Sequence, residues 1–152
     1  MEKLVALPSS IGMLKGLVKL DVSWCPKHKN LPEEIGQCLE DGVHSVFPLV
    51  NEGLCSLEIL NLSFCNLIDG GLSEDIGCLS SLKELHINGN NFVHLPESIA
   101  QLGDLETLYL SNCKRLPQLP EFSKQLHTIS AYWSNDLICN SLFQNISSAS
   151  DS

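Results

Sequence analysis

Apolar residues recur along the chain in one pattern, L-x-x-L-x-L-x-x-[N/C], in which x is mostly polar. The pattern has four clear copies and a weaker fifth, which begin at Leu17, Leu57, Leu82, Leu105 and Leu126. Apolar and polar residues alternate in the middle of each copy, which predicts a short strand with its apolar side chains turned inward. The closing Asn or Cys is expected at the turn out of the strand, where a buried Asn bonds the backbone of the turn.

A second pattern, L-P-x-x-I-x-x-L, connects one strand to the next. It is complete in residues 95–102, and residues 72–79 keep its spacing with Ser73 in place of proline. Proline fixes φ and lacks an amide hydrogen, so it suits the first turn of a short helical segment. Apolar residues three positions apart then face the core from the side opposite the strands.

The last four copies begin 25, 23 and 21 residues apart, a period typical of leucine-rich repeats. A single repeat of this size cannot bury its apolar face, so the repeats must stack. The sequence therefore predicts an α/β fold of the leucine-rich-repeat solenoid type. Short parallel strands should line its concave face, and short helices or 3₁₀ turns should line its convex face.

The predicted organisation is an array of leucine-rich repeats over residues 1–136, followed by a tail rich in Ser and Asn over residues 137–152. The array is assigned as a half repeat 1–16, a repeat 17–37, a damaged or inserted stretch 38–56, repeats 57–81, 82–104 and 105–125, and a weak terminal repeat 126–136. Because the array opens on a half repeat, its N-terminal edge is expected to be truncated and without a polar cap.

The stretch 38–56 breaks the period, because Asp41 stands nine residues after Pro32, where the pattern requires leucine. We interpret it as the remnant of a lost half repeat or more, bridged by a loop. An ordinary surface insertion is the alternative. Since the stability of a repeat array depends on contacts between neighbours, we expect this break to divide the array into two weakly coupled parts.

Composition limits the partners that the chain can bind. The 152 residues are 43% hydrophobic and include 27 leucines, which fits one globular domain. Nine basic and eighteen acidic residues give a net charge of −9, which opposes binding to nucleic acid or to anionic membranes. No apolar run approaches the length of about 20 residues that a membrane-spanning helix needs.

The seven cysteines are scattered and form no C-x-x-C pair, which argues against a zinc knuckle or a thioredoxin-like motif. They are expected to be free, mostly buried thiols in a reducing compartment. The expected location is therefore the cytoplasm, and the nucleus is compatible with the same chemistry.

The Leu-Pro-x-x-Ile segments, combined with strands that end in Cys, resemble the repeats of plant intracellular immune receptors of the TIR-NB-LRR class. Residues 4–12, 61–72 and 143–148 carry the resemblance most clearly. Receptors of this class join a Toll/interleukin-1-receptor-like domain and a nucleotide-binding switch domain to leucine-rich repeats. The chain has no G-x-x-x-x-G-K-[ST] loop, so the resemblance implies no nucleotide site and no cofactor here.

What the resemblance does imply is a protein-recognition segment, present as a fragment or truncated copy of such a receptor. The implied partner is a pathogen effector protein or the parent receptor's own nucleotide-binding switch domain. A general leucine-rich-repeat interaction scaffold without an immune role is the alternative function. We expect no enzyme activity, because Cys25, Cys65 and Cys113 occupy inward turn positions where no base can activate them.

The predicted protein-binding site is the outward, concave face of the sheet. Its residues are Asp21, Trp24, Asn61, Phe64, His86, Asn88, Tyr109, Asn112 and Trp133. Aromatic residues anchor many protein interfaces, which favours a binding role for Trp24, Phe64 and Trp133. The alternative is that these three side chains fold over the ends of the strands and pack on neighbouring turns. No catalytic, cofactor-binding or metal-binding residue is predicted.

Overall fold

The computed structural model describes Ile11, residues 14–24, 54–69, 71–72 and 74–132, and Ser134. Within these residues five strands occupy Lys19–Asp21 (β1), Ile59–Asn61 (β2), Glu84–His86 (β3), Thr107–Tyr109 (β4) and Thr128–Ser130 (β5). They form one sheet in chain order, and every neighbouring pair is parallel. This arrangement confirms the predicted leucine-rich-repeat solenoid, and the weak fifth copy also forms its strand.

The five strands are aligned without any shift between them. Their central residues, Leu20, Leu60, Leu85, Leu108 and Ile129, pair across the whole sheet. These apolar side chains face inward, and Leu85 and Leu108 have no exposed surface. The residues on either side of them therefore face outward, as the alternation in the sequence predicts.

In the described part of the chain, two short 3₁₀ helices cover the core on the side opposite the sheet. They span Glu74–Cys78 and Glu97–Gln101, and each carries one buried isoleucine, Ile76 or Ile99. Pro96 lies directly before the second helix as its N-cap residue, with φ of −61° and ψ of 137°. The predicted helical segments are thus confirmed as 3₁₀ helices, and this proline precedes the first turn instead of belonging to it.

Strands β1 and β2 are direct neighbours, although 40 residues separate Leu17 from Leu57. The backbone amide of Val22 donates to the carbonyl of Asn61 at 3.0 Å, which matches the bond from Leu62 to His86 one repeat later. The sheet is therefore continuous across the long interval. Residues 25–53, which contain most of the stretch assigned as damaged, lie outside the described residues, as do residues 1–10 and 135–152.

The cysteines divide into two groups. Cys65 and Cys113 are buried free thiols, as expected, whereas Cys55 and Cys78 are exposed. Cys25, Cys38 and Cys139 lie outside the described residues. In the part of the chain that the structure describes, no helix is long and apolar enough to cross a membrane.

Candidate functional site on the concave face

The outward side chains of the strands form rows that cross the sheet from β1 to β5. Each row takes one residue from each repeat, and we number the rows along the strand direction. The first row is Lys19, Ile59, Glu84, Thr107 and Thr128; the second is Asp21, Asn61, His86, Tyr109 and Ser130; the third is Ser23, Ser63, Asn88, Ser111 and Tyr132. Five of the nine predicted site residues belong to the second or third row, and the other four are treated below with the turn that follows the third row.

Side-chain hydrogen bonds join neighbouring repeats within the second row and within the third row. The amide nitrogen of Asn61 donates to Oδ2 of Asp21 at 3.1 Å, and its amide oxygen accepts from the backbone amide of Ser63 at 3.0 Å. Asn88 also forms two bonds, both to neighbouring repeats: it donates to Oγ of Ser63 at 3.1 Å and accepts from the backbone amide of Ser111 at 2.8 Å. Both asparagine amides are therefore already bonded within the protein, so their main contribution is to hold neighbouring repeats together.

Asp21 lies at the exposed end of this network. The Ser23 hydroxyl donates to Oδ1 of Asp21 at 2.7 Å, and the backbone amide of Ser23 donates to the same oxygen at 3.0 Å. The bond from the Ser23 side chain, with weaker help from its backbone, Asn61 and the charge of Lys19, lowers the pKa of this carboxyl against its partial burial. The carboxylate charge of Asp21 is thus fixed at neutral pH.

His86 and Tyr109 form an aromatic pair in the second row. Their ring centroids are 4.2 Å apart and their planes differ by 21°. Nε2 of His86 also lies 3.1 Å from Oε2 of Glu84, which is on the same strand in the first row. This cluster of an acid, an imidazole and a phenol occupies the middle of the sheet, and two of its three members were predicted as site residues.

The turn after each strand places one residue at the same unusual backbone angle. This turn row is Trp24 (φ 60°), Phe64 (φ 57°), Gly89 (φ 63°) and Asn112 (φ 61°). The backbone amide of each of these four residues donates to the carbonyl of a third-row residue in the next repeat. Glycine and asparagine adopt positive φ readily, whereas a bulky aromatic residue does so at a cost.

The two aromatic residues of the turn row pack on neighbouring turns. The rings of Trp24 and Phe64 are stacked, with centroids 4.1 Å apart and planes 9° from parallel. The other side of the Phe64 ring covers Gly89. Trp24 nevertheless remains 68% exposed, so the packing expected as the alternative and a surface available to a partner are both present. Asn112 is exposed, and Trp133 lies outside the described residues.

Behind the turn row, the closing residues of three repeats, Cys65, Asn90 and Cys113, are buried and bonded to the backbone. Asn90 accepts from the backbone amides of Cys65 at 3.3 Å and Leu67 at 3.0 Å, and it donates to the carbonyls of Leu62 and Ile87, both at 2.9 Å. This confirms the predicted bonding of a buried Asn to the turn, and extends it to the preceding repeat.

Cysteine at the same position also bonds the backbone of the preceding repeat, through its thiol. The thiol of Cys65 donates to the carbonyl of Val22 at 3.2 Å, and that of Cys113 donates to the carbonyl of Ile87 at 3.3 Å. Burial raises the pKa of the Cys113 thiol, against weaker bonds from the backbones of Asn90 and Gly89. Both thiols point inward, and burial favours the protonated form of Cys113, which is unfavourable for nucleophilic chemistry.

The loops that leave the strands carry a second polar connection, which the sequence analysis did not single out. Oδ1 of Asp69 accepts the backbone amides of Val93 at 2.6 Å and His94 at 3.0 Å, and Oδ2 lies 3.0 Å from Nδ1 of His94. Partial burial of Asp69 opposes ionisation, but the bonds from His94 and Val93 outweigh it and lower the pKa of this carboxyl. The spacing of 24 or 25 residues between donor and acceptor, one repeat length, was the available signal.

The first row was also missed by the sequence analysis. Glu84, Thr107 and Thr128 lie two residues before second-row positions and therefore face the same side of the sheet. Strict alternation along the strand would have identified them. They extend the predicted site toward the beginning of each strand.

Comparison with known proteins identifies the repeats. The sequence profile of the Leucine Rich Repeat family matches residues 56–79, 81–102 and 104–126. These segments contain β2, β3 and β4 with the helices and turns that follow. The chain is a leucine-rich-repeat region homologous to those of plant disease-resistance proteins.

Among individual relatives, TMV resistance protein N of Nicotiana glutinosa is 50% identical over 162 aligned positions, which cover 85% of this chain and 14% of that protein. Disease resistance-like protein DSC1 of Arabidopsis thaliana is 28% identical over 84% of this chain and 15% of its own length. Disease resistance protein RPP2A, also of Arabidopsis thaliana, is 29% identical over 81% of this chain and 8% of its own length. The chain thus spans less than one sixth of each of these relatives.

Proposed function

We propose that this chain recognises a protein through the concave face of its sheet, as part of a plant disease-resistance receptor. The observation that carries the proposal is the unbroken set of outward rows across five aligned strands. Repeats stacked in this way present extended surfaces of the size that protein partners require. Similarity to several resistance proteins supports this function over that of a general scaffold without an immune role.

The proposed partner is a pathogen effector protein or the nucleotide-binding switch domain of the parent receptor. Both follow from the resemblance to the TIR-NB-LRR class, in which the repeats accompany such a domain. The net charge of −9 supports a protein partner over nucleic acid. The proposed location is the cytoplasm, with the nucleus as a second compartment, since the two buried thiols are free.

The chain is proposed to be non-catalytic by itself. The thiols of Cys65 and Cys113 bond backbone carbonyls inside the turns, where a substrate has no access. His86 lies between Glu84 and Tyr109 on an open sheet surface, where its contacts resemble those of an interface residue.

Two sets of alanine substitutions test the position of the binding surface. The concave set changes Asp21, His86 and Tyr109, and the convex set changes Glu74, Glu97 and Gln101. The probe is the nucleotide-binding domain of a receptor of this family, with an effector protein that such a receptor detects as a second probe. We expect the concave set to weaken binding of one probe at least about tenfold, because interface anchors carry most of the binding energy.

Melting curves of each variant serve as the control for folding. The convex set should leave the affinity unchanged, because its residues lie on the opposite side of the core. Loss of binding in the convex set, with binding retained in the concave set, would contradict the proposal.

A further inference from the structure

Asn88 and Gly89 form the single Asn-Gly pair of the sequence. In such a pair the backbone nitrogen of glycine attacks the asparagine side chain readily, because glycine has no side chain to hinder the approach. The fold requires both residues. The Phe64 ring leaves no room for a β-carbon on Gly89, and the Asn88 amide bonds Ser63 and Ser111. A chemically labile pair therefore occupies a position that the structure constrains.

Both reacting groups of this pair are held by one residue of the next repeat. The nucleophile is the backbone nitrogen of Gly89, whose N–H donates to the carbonyl of Ser111 at 2.8 Å. The electrophile is the side-chain carbonyl carbon of Asn88, whose oxygen accepts the backbone amide of Ser111 at 2.8 Å. While both bonds are formed, the nitrogen keeps its proton and the side-chain amide is held toward Ser111.

The preceding repeat holds the same pair from the other side. Nδ2 of Asn88 donates to Oγ of Ser63 at 3.1 Å, and the backbone carbonyl of Asn88 accepts the amide of Phe64 at 2.7 Å. Attack on the side chain requires the main chain to rotate about Asn88 until the nitrogen of Gly89 meets Cγ. The bonds on both sides oppose this rotation, so the reaction requires the pairing between repeats to open.

We propose that Asn88 is a deamidation site that the next repeat keeps unreactive, and that it reacts when Ser111 separates from Asn88 and Gly89. In the open state the deprotonated nitrogen of Gly89 attacks Cγ of Asn88. The new N–Cγ bond forms, the bond from Cγ to Nδ2 breaks, and Nδ2 takes up a proton and leaves as ammonia. Water then opens the cyclic imide at either carbonyl, which gives aspartate or isoaspartate at position 88. This inference is independent of the proposed function.

The two products fit the closed sheet differently. The carboxylate of aspartate keeps an oxygen for the amide of Ser111, and its other oxygen can accept the hydroxyl of Ser63. Isoaspartate instead extends the main chain by one carbon between positions 88 and 89. The backbone bonds on either side of that carbon, from Phe64 and to Ser111, then no longer share a register. Opening followed by isoaspartate formation is therefore a one-way change.

Incubation of the full chain in mildly alkaline buffer, with and without urea, tests the proposal. Trypsin releases residues 84–114 as one peptide, which contains Asn88 and three internal controls that no glycine follows, Asn90, Asn91 and Asn112. Mass spectrometry with fragmentation measures deamidation at each position. In urea Asn88 should react at least about tenfold faster than in the folded chain, and faster than the three controls.

Hydrogen exchange provides an independent measure of the same opening. The amide of Gly89 exchanges when its bond to Ser111 breaks. Folding should therefore slow exchange at Gly89 and deamidation of Asn88 by the same factor. Deamidation of Asn88 that is as fast in the folded chain as in urea, or that does not follow exchange at Gly89, would overturn the proposal.

Two cysteine variants test which contact between repeats controls the reaction. The Cys113 thiol bonds the carbonyl of Ile87 in the repeat that contains Asn88, so Cys113→Ala should speed both deamidation and exchange about threefold or more. The Cys65 thiol makes the matching bond to Val22 between β1 and β2, so Cys65→Ala should leave both rates unchanged. Equal acceleration in the two variants would show that general unfolding controls the reaction, and would contradict the proposal.

The products give the last test. The isoaspartate form, separated by chromatography and returned to buffer without urea, should exchange rapidly at Gly89. Asn88→Asp should retain the protection of the unaltered chain, because its carboxylate fits the same bonds. An isoaspartate form as well protected as Asn88→Asp would show that the change is not one-way.

Discussion

The ring of Phe64 covers Gly89 so closely that a β-carbon on Gly89 would overlap the ring. The two residues occupy the same position in successive turns, and both have positive φ. A large side chain in one repeat therefore depends on the absence of a side chain in the next. This dependence connects the sequence of one repeat to that of its neighbour.

Gly89→Ala is expected to reduce the free energy of unfolding by about 2 kcal/mol or more, because it combines the strain of positive φ with a clash against Phe64. In a Phe64→Ala background the same substitution should cost only about 1 kcal/mol, since the strain remains and the clash is gone. Urea unfolding of the four proteins measures both values. Equal costs in the two backgrounds would show that the ring does not restrict Gly89.

Trp24→Ala is expected to weaken the attachment of β1 to the rest of the sheet. Stacked aromatic pairs contribute about 0.5–1.5 kcal/mol, and the exposure of Trp24 limits its further contribution from burial. Hydrogen exchange of the amides in residues 19–22 should accelerate, while exchange in β3 and β4 should not. Unchanged protection of β1 would mean that backbone pairing alone holds it in place.

Asn90→Ala is expected to cost about 3 kcal/mol, because it removes a buried amide that bonds the backbone of Leu67 and Leu62 in the preceding repeat and of Ile87 in its own. Asn90→Cys should cost less, since Cys65 and Cys113 bond a carbonyl from the same position in their own repeats. Thermal unfolding of the two variants gives the order. A cysteine variant no more stable than the alanine variant would contradict the idea that the two residues serve one purpose.

Acid is expected to destabilise the protein through Asp69 and Asp21. Both carboxyls have a pKa below the ordinary value of 3.8 in the folded chain. Their contribution is therefore fully present above pH 3.8 and is lost as the pH falls below it toward their folded pKa values. Asp69→Asn keeps the oxygen that accepts the amides of Val93 and His94 but removes the titration.

The melting temperature of Asp69→Asn should accordingly fall less than that of the unaltered chain as the pH is lowered from about 4 to about 2, because the loss lies below the ordinary Asp pKa. Glu97→Gln is the matched control, because Glu97 is exposed and takes no part in the bonds between Asp69 and residues 93–94. An identical acid dependence in Asp69→Asn would remove Asp69 from the explanation.

The long interval between β1 and β2 is expected to mark lost repeats. The alignment with TMV resistance protein N has 162 positions and includes 85% of 152 residues, about 129, so about 33 positions are gaps in this chain. Adding these positions to the 40-residue interval gives about 73, close to three spacings of about 24 residues. Genomic and transcript sequences around codons 38–56 should contain the missing strand segments. Gaps scattered over other repeats would instead favour an ordinary insertion.

The strands, their order and the inward side chains could be predicted because each depends on the local alternation of a repeated pattern. The Leu20, Leu60 and Leu85 positions show this, since one rule places all three. The stacking of Trp24 on Phe64 could not be predicted, because it depends on the direct pairing of β1 with β2 across an interval that breaks the pattern.

The internal bonding of Asn61 and Asn88 was also beyond the sequence. A polar outward residue has the same pattern whether its amide meets a neighbouring repeat or a partner. Only the distances between side chains on neighbouring strands show whether the amide bonds a neighbouring repeat or is left for a partner. For this reason the sequence placed Asn61 and Asn88 on the outward face of the sheet but did not show that their amides bond neighbouring repeats.

The pairing of Lys19 with Ile59 has the same register as the pairing of Ile59 with Glu84. Every strand thus offers its neighbour an equivalent edge, and the backbone pairing between two strands does not depend on which repeats they belong to. A gene that encodes such an array can lose or gain whole repeats by unequal recombination and still produce a continuous sheet. Each such event brings together outward residues that were not neighbours before, so the composition of the outward face changes by rearrangement without a point mutation.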